Sequence, residues 1–228
     1  MAKGLFIVVS APSGTGKSSI CQRFMQSCPE IKFSVSYTSR PPRPNEVNGK
    51  DYYFISREEF QVRIDQGEFV EWVENYGNLY GSSLKTMDGF LQNGQDLLLD
   101  IEPQGAKKIK QKFKGGIYVF VLPPSRTELL NRLEGRGCET DEVIQNRFEK
   151  AESELKEVSW YDYVIFNKDL DTAVNQLISI YVAQKCKRSR LQDEIKQVIS
   201  ETPIPKAKHN GIGKLNNPAK GGGFHTRD

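Results

Sequence analysis

Apolar residues gather in four short runs along the chain, one of them interrupted by Asp100. The first, Leu5-Phe6-Ile7-Val8-Val9, lies within Gly4 to Ser10 and is β-branched and aromatic without polar alternation. That is the pattern of a strand buried on both faces of a parallel sheet. Leu97–Ile101 and Ile117–Leu122 repeat it, and Tyr163–Phe166 gives a fourth strand. A helical pattern runs from about Lys17 to Gln26, and further helical patterns separate the remaining runs. This alternation predicts a doubly wound α/β fold, a parallel sheet flanked by helices.

Two stretches interrupt the alternation. Residues 33–83 are rich in Tyr, Arg, Gly and Asn with short strand-like runs, and residues 126–158 are helical and charged. Insertions of this kind in an α/β sheet carry the partner-specific chemistry. The core then comprises residues 1–32, 84–125 and 159–184. From Asp169 a helix runs through Leu177, Ile178 and Val182, with a reach as far as Ile199. Residues 185–228 read as a basic helical extension, giving way beyond Thr202 to a Pro-, Lys-, Asn- and Gly-rich tail of disordered type.

The charge sharpens that division. The formal net charge is +3 over 228 residues, but residues 1–184 hold 22 Lys and Arg against 25 Asp and Glu, while residues 185–228 hold 10 against 4. The folded part therefore shows no overall bias toward a polyanion, and nucleic acid is not an expected partner. No stretch has the ~18 apolar residues of a membrane helix, so no membrane partner is expected. Leu5–Ala11 has the bare length of a signal-peptide core, but the residues after it carry a motif that needs this strand in place. Cys21, Cys28, Cys138 and Cys186 form no CxxC pair, and His209 and His225 both lie in the tail, which argues against structural zinc and for a reducing, cytoplasmic compartment.

The candidate chemistry begins where the first strand ends. Ala11-Pro12-Ser13-Gly14-Thr15-Gly16-Lys17-Ser18 follows a strand and opens a helix, the context of a Walker A phosphate loop. Glycines at 14 and 16 let backbone N–H groups turn inward as an anion nest, and the helix N-terminus adds its positive end. Lys17 would reach the β- and γ-phosphates and Ser18 would ligate their Mg²⁺, with Ser19 as a possible helper. The first position departs from the consensus, with Ala11 in place of glycine. Asp100, ending a buried strand, is either a carboxylate holding magnesium waters or an N-cap for the next helix, two roles that are compatible.

What accepts the phosphate is indicated by Ser36-Tyr37-Thr38-Ser39-Arg40-Pro41-Pro42-Arg43, Asn48–Phe54, Gly67–Trp72 and Tyr80-Gly81-Ser82. In this order, from about Gly4 to Ala183, the motifs resemble the guanylate kinase family. The resemblance implies a P-loop core with 33–83 as a GMP-binding insert on a small mixed sheet and 126–158 as a helical lid. It implies transfer of a phosphoryl group from ATP to GMP or dGMP, with Mg²⁺. Arg40 and Arg43 match the pair that grips the GMP phosphate, a dianion suited to guanidinium forks, and Tyr52 and Tyr80 match its hydroxyl donors. Ser36 and Glu71 match the residues that read the base; a carboxylate accepts from guanine N1–H and N2–H₂ but would face adenine N1 repulsively. Ser82, Asp100 and Glu102 complete the GMP side, with Glu102 standing where the family usually has aspartate.

The same resemblance makes Arg132, Arg136 and Arg147 lid arginines that stabilise charge on the moving phosphoryl group, and puts Asn167 at the adenine of ATP. Taken singly, Arg40 and Arg43 read equally well as solvated turn residues, Glu71 as an exposed strand residue, and the lid arginines as surface charges paired with Glu139, Asp141, Glu142 and Glu149. No general base is required, because the attacking GMP oxygen is already anionic near neutral pH. Two other readings share the core: a kinase for a different small acceptor, and a guanylate-kinase-like interaction module without catalysis. Glu71 with Ser36 argues against the first, and the intact Gly16-Lys17-Ser18 against the second. The sequence leaves the oligomeric state open.

Overall fold

The structure, a computed structural model, describes residues 4–113, 115–135 and 141–200. Arg136, Cys138, Glu139, both histidines and the tail beyond residue 200 lie outside the described residues. By its contacts the chain divides into Met1–Asp193 and Glu194–Asp228, and the first unit carries everything that follows.

Its centre is a five-stranded parallel sheet. In chain order the strands are β1 (Phe6–Ser10), β2 (Lys32–Phe33), β7 (Leu97–Asp100), β8 (Ile117–Leu122) and β9 (Tyr163–Phe166), arranged β2-β7-β1-β8-β9. Every residue of β1 is buried, as the unalternated run predicts. Ile7 and Val9 point into one apolar layer with Leu98, Val119 and Val121, under α1 (Lys17–Ser27) and α7 (Leu170–Lys185). Phe6 and Val8 point into the other with Leu97, Leu99 and Tyr118, under α3 (Leu84–Gln92) and α4 (Pro103–Lys112). Each large side chain so buried contributes about 1.5–3 kcal/mol, which is why the body of a central strand is apolar on both faces, with Ser10 the buried polar residue that ends β1.

Residues 37–83 build a second, mixed sheet. Its order is β4-β3-β6-β5, from β3 (Tyr37–Thr38), β4 (Tyr53–Phe54), β5 (Phe69–Asn75) and β6 (Asn78–Ser83). Helix α2 (Arg57–Asp65) packs Phe60 onto Phe69 and Leu79, so this sheet has a small core of its own. Helices α5 (Arg126–Glu134) and α6 (Asp141–Leu155) form a third cluster around Leu129, Leu133 and Ala151. Helix starts follow sequence: the Ser56, Ser83, Ser125 and Asp169 side chains accept from the backbone N–H three residues on.

Two expectations shift. β2 was not read from the sequence, because two residues carry no period, and it takes Phe33 into the core sheet. The helix from Asp169 does not continue to Ile199; α7 ends at Lys185, turns follow, and a separate α8 spans Gln192–Ser200. Among the described residues no helix is long and apolar enough to cross a membrane.

Candidate active site

The phosphate loop is set by its glycines. Gly14 and Gly16 both have φ of +88°, a left-handed conformation that disfavours any Cβ. The space is closed as well: a Cβ on Gly14 would lie 3.0 Å from Leu133 of α5, and one on Gly16 would lie 2.5 Å from the amide nitrogen of Asn167. Gly16 caps α1 without a side-chain hydrogen bond, and no acidic residue sits in the first turn. The first N–H groups of α1 are thus left for an anion.

Lys17, at the start of α1, is folded down between strands. Its ammonium pairs with Asp100 and donates to the carbonyl of Ile101 at 3.1 Å. Burial alone would lower the Lys17 pKa, but the charge and hydrogen bond of Asp100 outweigh it and hold the ammonium above its ordinary value. Asp100 is therefore a counter-ion here. It is not the N-cap of α4, a position Glu102 occupies without a side-chain cap bond; Pro103 takes the first helical turn, as its missing N–H favours.

Behind the loop, the Thr15 carbonyl accepts from Asn167 Nδ2 at 2.7 Å and from Arg132 Nη1 at 3.2 Å, while Arg132 Nη2 donates to the Asn167 carbonyl at 3.3 Å. Arg132 Nε is held by Glu128 at 2.7 Å. Asn167, expected at the adenine, is 6% exposed and spends its amide on the loop. Arg132 is not a loose surface charge but docks on the loop backbone. Arg147 sits half-buried on α6.

A cavity of about 930 Å³ runs from Lys17 and Ser18 to the second sheet. It collects Ser36, Arg40, Arg43, Tyr52, Glu71, Tyr80, Asp100 and Glu102 around one space. Arg40 lies 5.5 Å over the Tyr52 ring, and Tyr52 meets Tyr80 edge-on at 6.0 Å. The Arg40 fork is already engaged: Nη1 and Nη2 each donate to Glu46 at 2.8 Å, and the Arg43 backbone N–H donates to the same carboxylate at 2.8 Å. The pair holds the Glu46 carboxyl below its usual range. Nη1 also reaches the Pro41 carbonyl at 2.7 Å, and the Tyr80 hydroxyl is a further hydrogen-bond partner of the guanidinium, so an incoming oxyanion meets an Arg40 whose fork is already shared with protein groups. Glu46 went unremarked in the sequence, where nothing in its spacing marks it.

Glu71 is not an exposed strand residue. It is 4% exposed on β5, and burial pushes its carboxyl up to about 7 even though Ser82 Oγ donates to Oε1 at 2.7 Å. Ser82 itself is fully buried behind the acid rather than lining the cavity. Gly105 on α4 makes the room, since a Cβ there would lie 2.5 Å from Glu71 Oε2. Glu102 accepts from Asn75 Nδ2 and from Lys150 Nζ, two residues that the sequence did not single out.

The guanylate kinase family model matches residues 3–184. Guanylate kinases of Syntrophus aciditrophicus and Geobacter sulfurreducens are 54% and 44% identical, each over 87% of this chain and over 95% and 98% of their own lengths. The crystal structure of guanylate kinase from Anaplasma phagocytophilum superposes with a TM-score of 0.72 at 30% identity, covering 89% of this chain and 98% of the other. With a family match over residues 3–184 and relatives of this identity along nearly their full length, the chain belongs to the guanylate kinase family.

Proposed function

We propose that this chain transfers the γ-phosphoryl group of ATP to GMP, giving ADP and GDP, and that dGMP, with the same base and phosphate, is also a substrate. One observation carries the reading: a buried carboxyl at Glu71 and the Arg40, Arg43, Tyr52, Tyr80 box share a single cavity with Lys17 at the phosphate loop. Glu71 accepts from guanine N1–H and N2–H₂, and Ser36 donates toward O6. Adenine would leave that buried acid unpaired, a mismatch worth roughly 10⁴ in selectivity.

The GMP phosphate is held by Arg40, by Arg43 and by the two tyrosine hydroxyls. On the donor side, the loop amides of residues 11–18 take the polyphosphate, and Lys17 swings from Asp100 to the β- and γ-oxygens. Helices α5 and α6 act as the lid, with Arg132 and Arg147 over the moving group and Arg136 assigned the same role; Asn167 steadies the loop beside the adenine end. The attacking oxygen of GMP is already ionised, so catalysis rests on alignment and charge.

Ser18 and Asp100 present hard oxygen atoms at the mouth of the loop, which fits a magnesium ion carried in by ATP. Ser18 would hold that ion directly and Asp100 through water, and its positive charge would offset that of the ATP polyphosphate. Among the described residues no cluster of three or more His, Cys, Asp or Glu offers a site for a metal held by protein alone. Cys21, Cys28 and Cys186 are free thiols, in keeping with the cytoplasm as the compartment.

A coupled assay offering GMP, dGMP, AMP, CMP and UMP in turn tests the reading. Turnover confined to the two guanine nucleotides is expected, and comparable turnover of AMP would overturn it.

A further inference from the structure

One ammonium ties together three parts of the molecule that otherwise have separate cores. Lys150 projects from α6, and its Nζ donates to Asn75 Oδ1 at the end of β5. It also lies 3.2 Å from Glu102 Oε2, at the core end of the cavity, and 3.5 Å from Glu154 Oε1, one turn along α6. Asn75 Nδ2 closes the ring by donating to Glu102 Oε1. Both oxygens of Glu102 are therefore engaged, one by the second sheet and one by α6.

The hairpin that brings Asn75 into place carries its own mark. Asn75 pairs with Asn78 across a two-residue turn, Tyr76-Gly77, in which both residues have positive φ, 48° and 72°. Tyr76 is the one non-glycine residue with positive φ among the described residues. A tight hairpin turn of this kind favours Asn or Gly at its first position, and a bulky aromatic there is unfavourable in isolation. The ring is 56% exposed yet sits with Lys150 Nζ 5.0 Å from its centroid. A cation over an aromatic face is a favourable contact, and it gives the strained tyrosine a job.

We propose that Lys150 is a positioning residue that couples the base pocket to the lid, a proposal that rests on the assignment of Glu102 to the guanine side and of α6 to the lid. Guanine fixes Glu102, Glu102 fixes Lys150 against Asn75 and Tyr76, and α6 is held closed onto the second sheet. Arg147 lies three residues before Lys150 on the same helix, a spacing that puts the two side chains on one face. A guanine in the cavity thus bears, through α6, on the placement of Arg147. An acceptor without the guanine donors adds nothing to that hold, so the correct base improves the binding of ATP as well as its own.

The test is thermodynamic and needs no turnover. The affinity of a non-hydrolysable ATP analogue is measured by calorimetry on the full chain, with and without saturating GMP, and the ratio is the coupling. A ratio of about 5 or more is expected for the unaltered chain, falling to about 1–2 in Lys150→Met and in Asn75→Val, and largely restored in Lys150→Arg. Affinity for GMP alone changes less than the ratio does. A ratio near 1 in the unaltered chain, or an undiminished ratio in Lys150→Met and Asn75→Val, overturns the proposal. Failure of GMP turnover in the acceptor assay would instead remove the kinase reading, so the two failures are distinguishable.

Discussion

The two ends of the cavity are built from different materials. At the phosphate loop the recognition groups are main-chain amides, shaped by two glycines and braced by Asn167 and Arg132. At the acceptor end they are side chains from separate elements, and three of them are positioned by partners: Arg40 by Glu46, Glu71 by Ser82, Glu102 by Asn75 and Lys150. A backbone site is compact in sequence and intolerant of added atoms. A side-chain site is dispersed, and members such as these three depend on supporting partners.

Lys17→Ala should have the largest effect. Loss of the loop cation that reaches the β- and γ-oxygens is expected to lower kcat by about 10³-fold, read in the coupled assay, and near-normal turnover would remove the donor end from the comparison. Glu71→Gln comes next, eroding the GMP over AMP preference in kcat/KM by about 10²-fold; an unchanged preference would mean that the base is read elsewhere.

Glu71 also predicts a pH dependence. Its pKa of about 7 lies above the ordinary carboxylate value, so folding takes up a proton there. The associated stability is present in acid and is lost as pH rises through 7. Guanine needs the ionised form, so GMP affinity should rise roughly tenfold between pH 6 and 8. In Glu71→Gln only the share of that rise due to the GMP phosphate itself should remain, a difference that calorimetric titration across this range would show.

Gly16→Ala probes the backbone end. The added methyl meets Asn167 and a positive φ, and KM for ATP is expected to rise roughly 30-fold with KM for GMP much less affected. Glu46→Gln is the counterpart at the acceptor end. Arg40 loses its charged anchor, and KM for GMP should rise about tenfold while KM for ATP holds. Equal effects on both substrates, in either variant, would blur the distinction between the two ends.

The contrast also explains what could be read from the chain in advance. The strands were legible because a central parallel strand must be apolar on both faces, and the loop because strand, glycines, lysine and helix are consecutive. Arg40, Arg43, Tyr52, Glu71 and Tyr80 were found only through a family order of motifs, since nothing in their spacing says that they meet. Glu46, Asn75 and Lys150 escaped altogether. Lys150 meets Asn75 across 75 positions and Glu102 across 48, distances that only the assembled sheets close. The break after Lys185 was hidden for a related reason: Ile195, Val198 and Ile199 keep a helical spacing across it.

The pairing of Lys17 with Asp100 and of Arg40 with Glu46 means that the unliganded pocket presents few bare positive charges. Any visiting anion must first outbid a built-in carboxylate. Free orthophosphate, abundant in cells, brings charge but neither a base nor a chain of linked phosphates to add to its hold. The paired cations of the empty pocket in this way disfavour small anions that bring charge alone.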